Sequence, residues 1–145
     1  MTPFSPFASD DEVVAIGIGL LARTLPKSAW THAAHFAATL WILTCRPDLD
    51  ASRDLPSIIR SYNESTGVAN TDSSGYHETI TQASLRAASA FHAERAGPLF
   101  VVCNDLMASP LGRSDWPLVY WSRDRLFSSE ARRRWIDPDI KPLPF

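Results

Sequence analysis

Residues 28–46 read SAWTHAAHFAATLWILTCR, and the next residue is Pro47. No Gly or Pro interrupts this stretch, and Pro47 cannot continue a helix because it lacks an amide donor and crowds the preceding turn. The spacing therefore predicts a helix from Ser28 to Arg46. Its Ala-rich first half permits close approach by a neighbouring helix, while Trp41, Ile42 and Leu43 fill wider space. A helix of this kind needs other helices around it.

Working outward, the N-terminal side supplies one. Ser9-Asp10-Asp11-Glu12 has the form of a capping box, in which the Ser side chain and the Glu carboxylate satisfy amides orphaned at a helix start. A helix from Asp10 to Thr24 follows, preceded by a Pro/Phe arm over residues 1–8 and broken by Pro26. On the C-terminal side a third helix is expected with Asp54 as cap and Pro56 in its first turn. Ile58, Ile59 and Tyr62 form its apolar side, and Gly67 stops it. The polar loop Ser65–Gly75 is long for a helix connection, and such loops are often functional. A fourth helix is predicted from Tyr76 to Arg95 and a fifth from Pro98 to Ala108. Leu99–Cys103 has strand propensity, but no partner strand is evident elsewhere.

Beyond Gly112 the pattern is aromatic and irregular. Asp115-Trp116-Pro117 and Ser122 mark single helical turns, and Ser128 caps a short helix through Trp135. Residues 137–145 are expected to be extended or polyproline-like and to drape over the bundle through Ile140, Leu143 and Phe145. The expectation is one all-α domain over residues 1–145. It is an irregular bundle of four to five main helices, with short helices and an extended aromatic, Pro-rich C-terminal tail.

The chain has 145 residues, a net charge of -2 and 45% hydrophobic residues. That size fits one compact domain that needs no disulfide staple. The charge balance disfavours nucleic-acid binding, which needs a clustered cationic excess. Arg132-Arg133-Arg134 is read as a solvated helix face paired with Asp124, Glu130, Asp137 and Asp139. The longest apolar run, Val13–Ala22, is about half of what a membrane span needs. The first residues carry no Lys or Arg, unlike a signal peptide. Cys45 and Cys103 read as buried, reduced core thiols. A cytoplasmic location is the expectation. There is no glycine-rich phosphate loop and no nucleotide-cofactor fingerprint.

Candidate chemistry lies in the histidines. His32 and His35 share one face near the start of the second helix, and Thr39 continues it. His77 and Glu78 open the fourth helix, and Thr81 and Ser84 continue the His77 face. If helices two, three and four run up, down and up, the starts of the second and fourth meet the end of the third, with Asn63 and Glu64, and the polar loop with Asn70. His32, His35 and His77 would then hold a divalent metal (Zn, Fe, Mn or Ni), with Glu78 or Glu64 as ligand or general base. Such a site lowers the pKa of bound water and supports hydrolysis. A metal-free alternative has the same pocket, with Asn63, Asn70 and Thr81 among its contacts, bind a small anionic metabolite at the helix-start amides. A third reading is an interaction or dimerisation module, with the aromatic C-terminal segment as its surface. His92, about four turns beyond His77, belongs at the opposite end.

Three stretches together resemble a family of small bacterial helical proteins of uncharacterised function. They are Trp30-x-His32-x-x-His35, Tyr62-Asn63-Glu64 through Gly75-Tyr76-His77-Glu78-Thr79, and Trp121–Ser128 leading into Asp137-Pro138-Asp139. The resemblance covers most of the chain from Trp30 onward. It implies no activity, and it makes the histidine stretches the positions to watch.

Overall fold

The computed structural model describes residues 5–145; the first half of the expected N-terminal arm, residues 1–4, lies outside them. All regular structure among the described residues is helical. The longer helices are α1 (Asp10–Ala22), α2 (His32–Cys45), α3 (Ala51–Ser65), α4 (Glu78–Ala93) and α5 (Leu99–Ala108), followed by the short α6 (Arg123–Leu126) and α7 (Ser129–Arg133). Single 3-10 turns occur at Lys27–Ala29, Pro110–Gly112 and Trp116–Val119.

The stretch that predicts the central helix occupies the centre. α2 packs against α1, α3, α4 and α5, and its residues from Phe36 to Ile42 are all buried. The α1–α2 approach is close because Gly17 faces the Trp41 ring. A Cβ at residue 17 would fall 2.1 Å from Trp41 Cε3, far inside contact distance. One buried cluster draws residues from every helix, and Phe7, Leu143 and Phe145 pack against it.

Local chemistry moves several helix boundaries. α2 starts at His32 rather than Ser28, because the Thr31 hydroxyl accepts from the Ala34 amide as its cap. Lys27–Ala29 forms a separate turn, which leaves Trp30 outside the helix. At α1 the expected capping box does not form. Ser9 makes no side-chain cap bond, and Glu12 instead accepts from the Ala8 amide at 2.8 Å. α3 starts earlier than expected, with Asp50 rather than Asp54 as the capping side chain. Pro56 therefore lies inside α3, where it removes the donor that would reach the Ser52 carbonyl. That carbonyl accepts instead from the side-chain amide of Gln82 on α4, whose Nε2 lies 3.1 Å away.

The C-terminal third wraps the bundle. The Trp121 indole donates to the Ile136 carbonyl at 3.0 Å, and Trp116, Tyr120 and Phe145 contact one another edge to face. Ile140 departs from the expected drape: it is exposed, although its amide bonds the Tyr120 carbonyl. Ser122 does not cap α6 with its side chain, which bonds Asp139 instead. Of the two free thiols, Cys103 is buried as expected, but Cys45 is exposed because it sits in the last turn of α2. Burial pushes the Cys103 thiol up to about 12. No helix among the described residues is long and apolar enough to cross a membrane.

Candidate functional site

α2, α3 and α4, together with the loop before α4, enclose a cavity of about 280 Å³, roughly nine water volumes. α2 contributes His35, Ala38 and Thr39; α3 contributes Leu55, Ile59 and Asn63; α4 contributes Ile80, Thr81 and Ser84. Trp30 and the segment Gly75–His77 complete the wall with Val68. The starts of α2 and α4 and the end of α3 thus meet at one place.

His35 dominates the polar lining. It is exposed, and its side chain forms part of the cavity lining. Neither imidazole nitrogen has a hydrogen-bond partner among the described residues. Desolvation, with a smaller contribution from nearby His32, lowers its pKa to about 3, so the ring is neutral at pH 7. The ring stacks on Trp30, with centroids 3.8 Å apart and planes inclined by 26°. Trp30 is in turn held edge-on by the fully buried Tyr62 at 5.4 Å, and the Tyr62 hydroxyl donates to the Leu25 carbonyl at 2.9 Å. The free imidazole is therefore fixed in orientation by packing rather than by its own hydrogen bonds.

His77 also lines the cavity but is engaged at both nitrogens. Nε2–H donates to the Leu126 carbonyl at 2.7 Å, and Nδ1 accepts from the Ile80 amide at 3.2 Å, capping α4. A carbonyl only accepts, so these partners assign the neutral Nε2–H tautomer. Burial and the Arg132 charge hold its pKa below the usual histidine value. His32 does not line the cavity. Its Nε2–H donates to the Leu111 carbonyl at 2.8 Å, and its ring meets Phe36 edge to face.

The remaining candidates divide in the same way. Asn63 and Thr81 line the cavity. Asn63 Nδ2 donates to Asn70 Oδ1 at 3.1 Å, while Asn63 Oδ1 is free of protein partners among the described residues. Asn70 lies outside the cavity and braces the loop. Its Oδ1 also accepts from the Tyr76 amide at 3.0 Å, and its Nδ2 donates to the Arg60 carbonyl at 3.1 Å. Glu64 is exposed and does not reach the lining. Glu78 is outside it too; its Oε1 accepts a 2.5 Å bond from the Tyr76 hydroxyl. Burial first, and that bond second, push the Tyr76 phenol well above its ordinary range. Gly75 bends the loop into this wall at φ 77°, and a Cβ there would fall 2.4 Å from the Ala69 carbonyl oxygen.

The structure therefore brings together His35, His77, Asn63 and Thr81, and leaves His32, Glu64, Glu78 and Asn70 outside the lining. Among the described residues no group of three or more His, Cys, Asp or Glu is placed to hold a metal ion. Trp30 and Tyr76 are wall residues that charge and spacing do not single out; their signal is only that aromatic residues flank both histidine stretches. None of the lining residues is Asp, Glu, Lys or Arg. Comparison of the chain with family models, with curated proteins and with solved structures finds no match.

Proposed function

We propose that this protein binds a small, uncharged, hydrogen-bonding molecule in the cavity between α2, α3 and α4. The observation that carries this reading is the neutral His35 imidazole, free at both nitrogens and facing a cavity with no charged lining residue. Such a ring offers one donor and one acceptor at once. Asn63 Oδ1 and the Thr81 and Ser84 hydroxyls add further polar points, and Trp30, Leu55, Ile59 and Ile80 supply apolar contact. A few convergent polar groups on an apolar wall is the usual make-up of a ligand pocket.

The same features favour this reading over the anionic-metabolite and metal-hydrolase readings. An anion in the cavity would lose its hydration with no countercharge to replace it. An imidazole with a pKa of about 3 is a weak base at neutral pH, poorly matched to activating water. His77 is committed to Leu126 and Ile80, so a shared three-imidazole metal set would require breaking the α4 cap. The two free thiols fit a reducing compartment such as the cytoplasm.

Three probes of similar shape test the proposal: benzamide, benzoate and benzylamine, titrated at pH 7 while the His35 ring signals are followed by NMR. Benzamide is expected to shift them saturably, with the two charged probes at least tenfold weaker. His35→Gln keeps a polar group but not the ring geometry, and is expected to weaken benzamide by about tenfold, the scale of one hydrogen bond. Preferred binding of benzoate, or stoichiometric Zn²⁺ binding that His35→Gln abolishes, would overturn the uncharged-ligand reading.

A further inference from the structure

On the outer side of the loop that closes the cavity lies a separate cleft of about 130 Å³, roughly four water volumes. Its walls include Arg60 of α3, Asp72 of the loop, and Arg132 and Arg133 of α7. Arg60 is far in sequence from the adjacent Arg132 and Arg133, which belong to a run that reads as a solvated face.

Their partners leave positive charge in excess. The Arg60 guanidinium lies over the Tyr76 ring, 4.3 Å from its centroid, and among the described residues no carboxylate pairs with it. Arg132 Nη1 donates to the Gly75 carbonyl at 3.0 Å, while its Nε is buried without a hydrogen-bond partner. Only Arg133 is paired, through Nη1 to Asp72 Oδ2 at 2.9 Å, and both side chains of that pair are exposed. Three cations thus share one carboxylate in a chain whose net charge is -2.

We infer that this cleft binds a phosphate group, with Arg60, Arg132 and Arg133 as its cationic contacts. A planar carboxylate is satisfied by one guanidinium fork, whereas three guanidinium groups drawn from two helices suit an oxyanion with oxygens on several sides. The cleft accommodates one such group rather than a nucleotide. Asp72 competes: its carboxylate holds Arg133 in the place a phosphate oxygen would occupy, so binding exchanges one anionic partner for a more highly charged one. The cleft and the cavity share Tyr76 as a wall, but none of the three arginines lines the cavity.

The test is calorimetric titration of the full chain with inorganic phosphate, at pH 7 and low ionic strength. One phosphate per chain is expected. Arg60→Gln and Arg133→Gln should each weaken it by about tenfold. Asp72→Asn should tighten it severalfold, a gain that misfolding cannot produce. Arg95→Gln, beyond the far end of α4, and His35→Gln should leave it unchanged, and acetate should bind at least tenfold more weakly. The inference is overturned by absence of saturable binding, by equal losses in Arg95→Gln and Arg133→Gln, by no gain in Asp72→Asn, or by acetate binding as well as phosphate.

Discussion

His35 and His77 both line the cavity, yet only His35 keeps its nitrogens free. That difference governs their pH behaviour. The unfolded chain protonates His35 near 6.5, whereas the folded chain resists until about 3. Unfolding therefore takes up a proton between those values, so stability is highest above pH 6.5 and declines as pH falls toward 3. His77, also lowered, contributes with the same sign. At pH 5 the proton uptake on unfolding is expected to fall by close to one in His35→Gln, read from the pH dependence of the denaturation midpoint. Asn70 shows the other residue-scale role. Asn70→Ala leaves the Tyr76 amide and the Arg60 carbonyl without their side-chain partner, at a cost of about 1–2 kcal/mol, and hydrogen exchange at the Tyr76 amide should accelerate. The histidine stretches, Asn63 and Thr81 are legible as a site because residue type and helical spacing are local information. That His32 turns to Leu111 and Glu78 to Tyr76 is not legible, since each choice depends on a partner settled only by packing.

At the scale of the element, Pro56 is the instructive case. Placed inside α3, it orphans the Ser52 carbonyl, and Gln82 of the neighbouring helix supplies the donor. Gln82→Leu should destabilise the protein by about 1 kcal/mol. Adding Pro56→Ala restores a backbone donor, so the loss from Gln82→Leu should shrink in that background; denaturant unfolding of the four variants gives the coupling. The α1–α2 contact makes a second case. Gly17→Ala drives a methyl into the Trp41 ring and should cost about 1–3 kcal/mol, seen as a lowered thermal midpoint. Helix existence and order were readable throughout because Pro47, Gly67 and Gly97-Pro98 punctuate the chain so clearly. Helix starts were less so. Ser28, Thr31, Asp50 and Asp54 are all good caps, and the sequence does not rank competing caps without knowing which amides packing leaves exposed.

For the whole molecule, the seam between the bundle and its C-terminal wrap turns on Thr79. Its fully buried hydroxyl lies 2.7 Å from the Ala131 carbonyl and 2.9 Å from that of Arg134, and it accepts from the Ile136 amide at 3.3 Å. Thr79→Val keeps the shape and removes these bonds. The expected cost is about 1–3 kcal/mol, with a change in Trp121 and Trp135 fluorescence as the wrap loosens. The wrap was foreseeable as an aromatic cover, but its attachment through one threonine was not, because Thr79 carries no sequence mark of its role. The cavity wall depends on the same seam, since His77 is held by Leu126, 49 residues later in the chain. During synthesis, at about 5–20 residues per second, α4 is made roughly 3–10 seconds before the segment that fixes His77. A nascent chain halted after α5 therefore carries an imidazole anchored only at Nδ1, by the Ile80 amide of its own helix, and a pocket wall still waiting for its Leu126 tether.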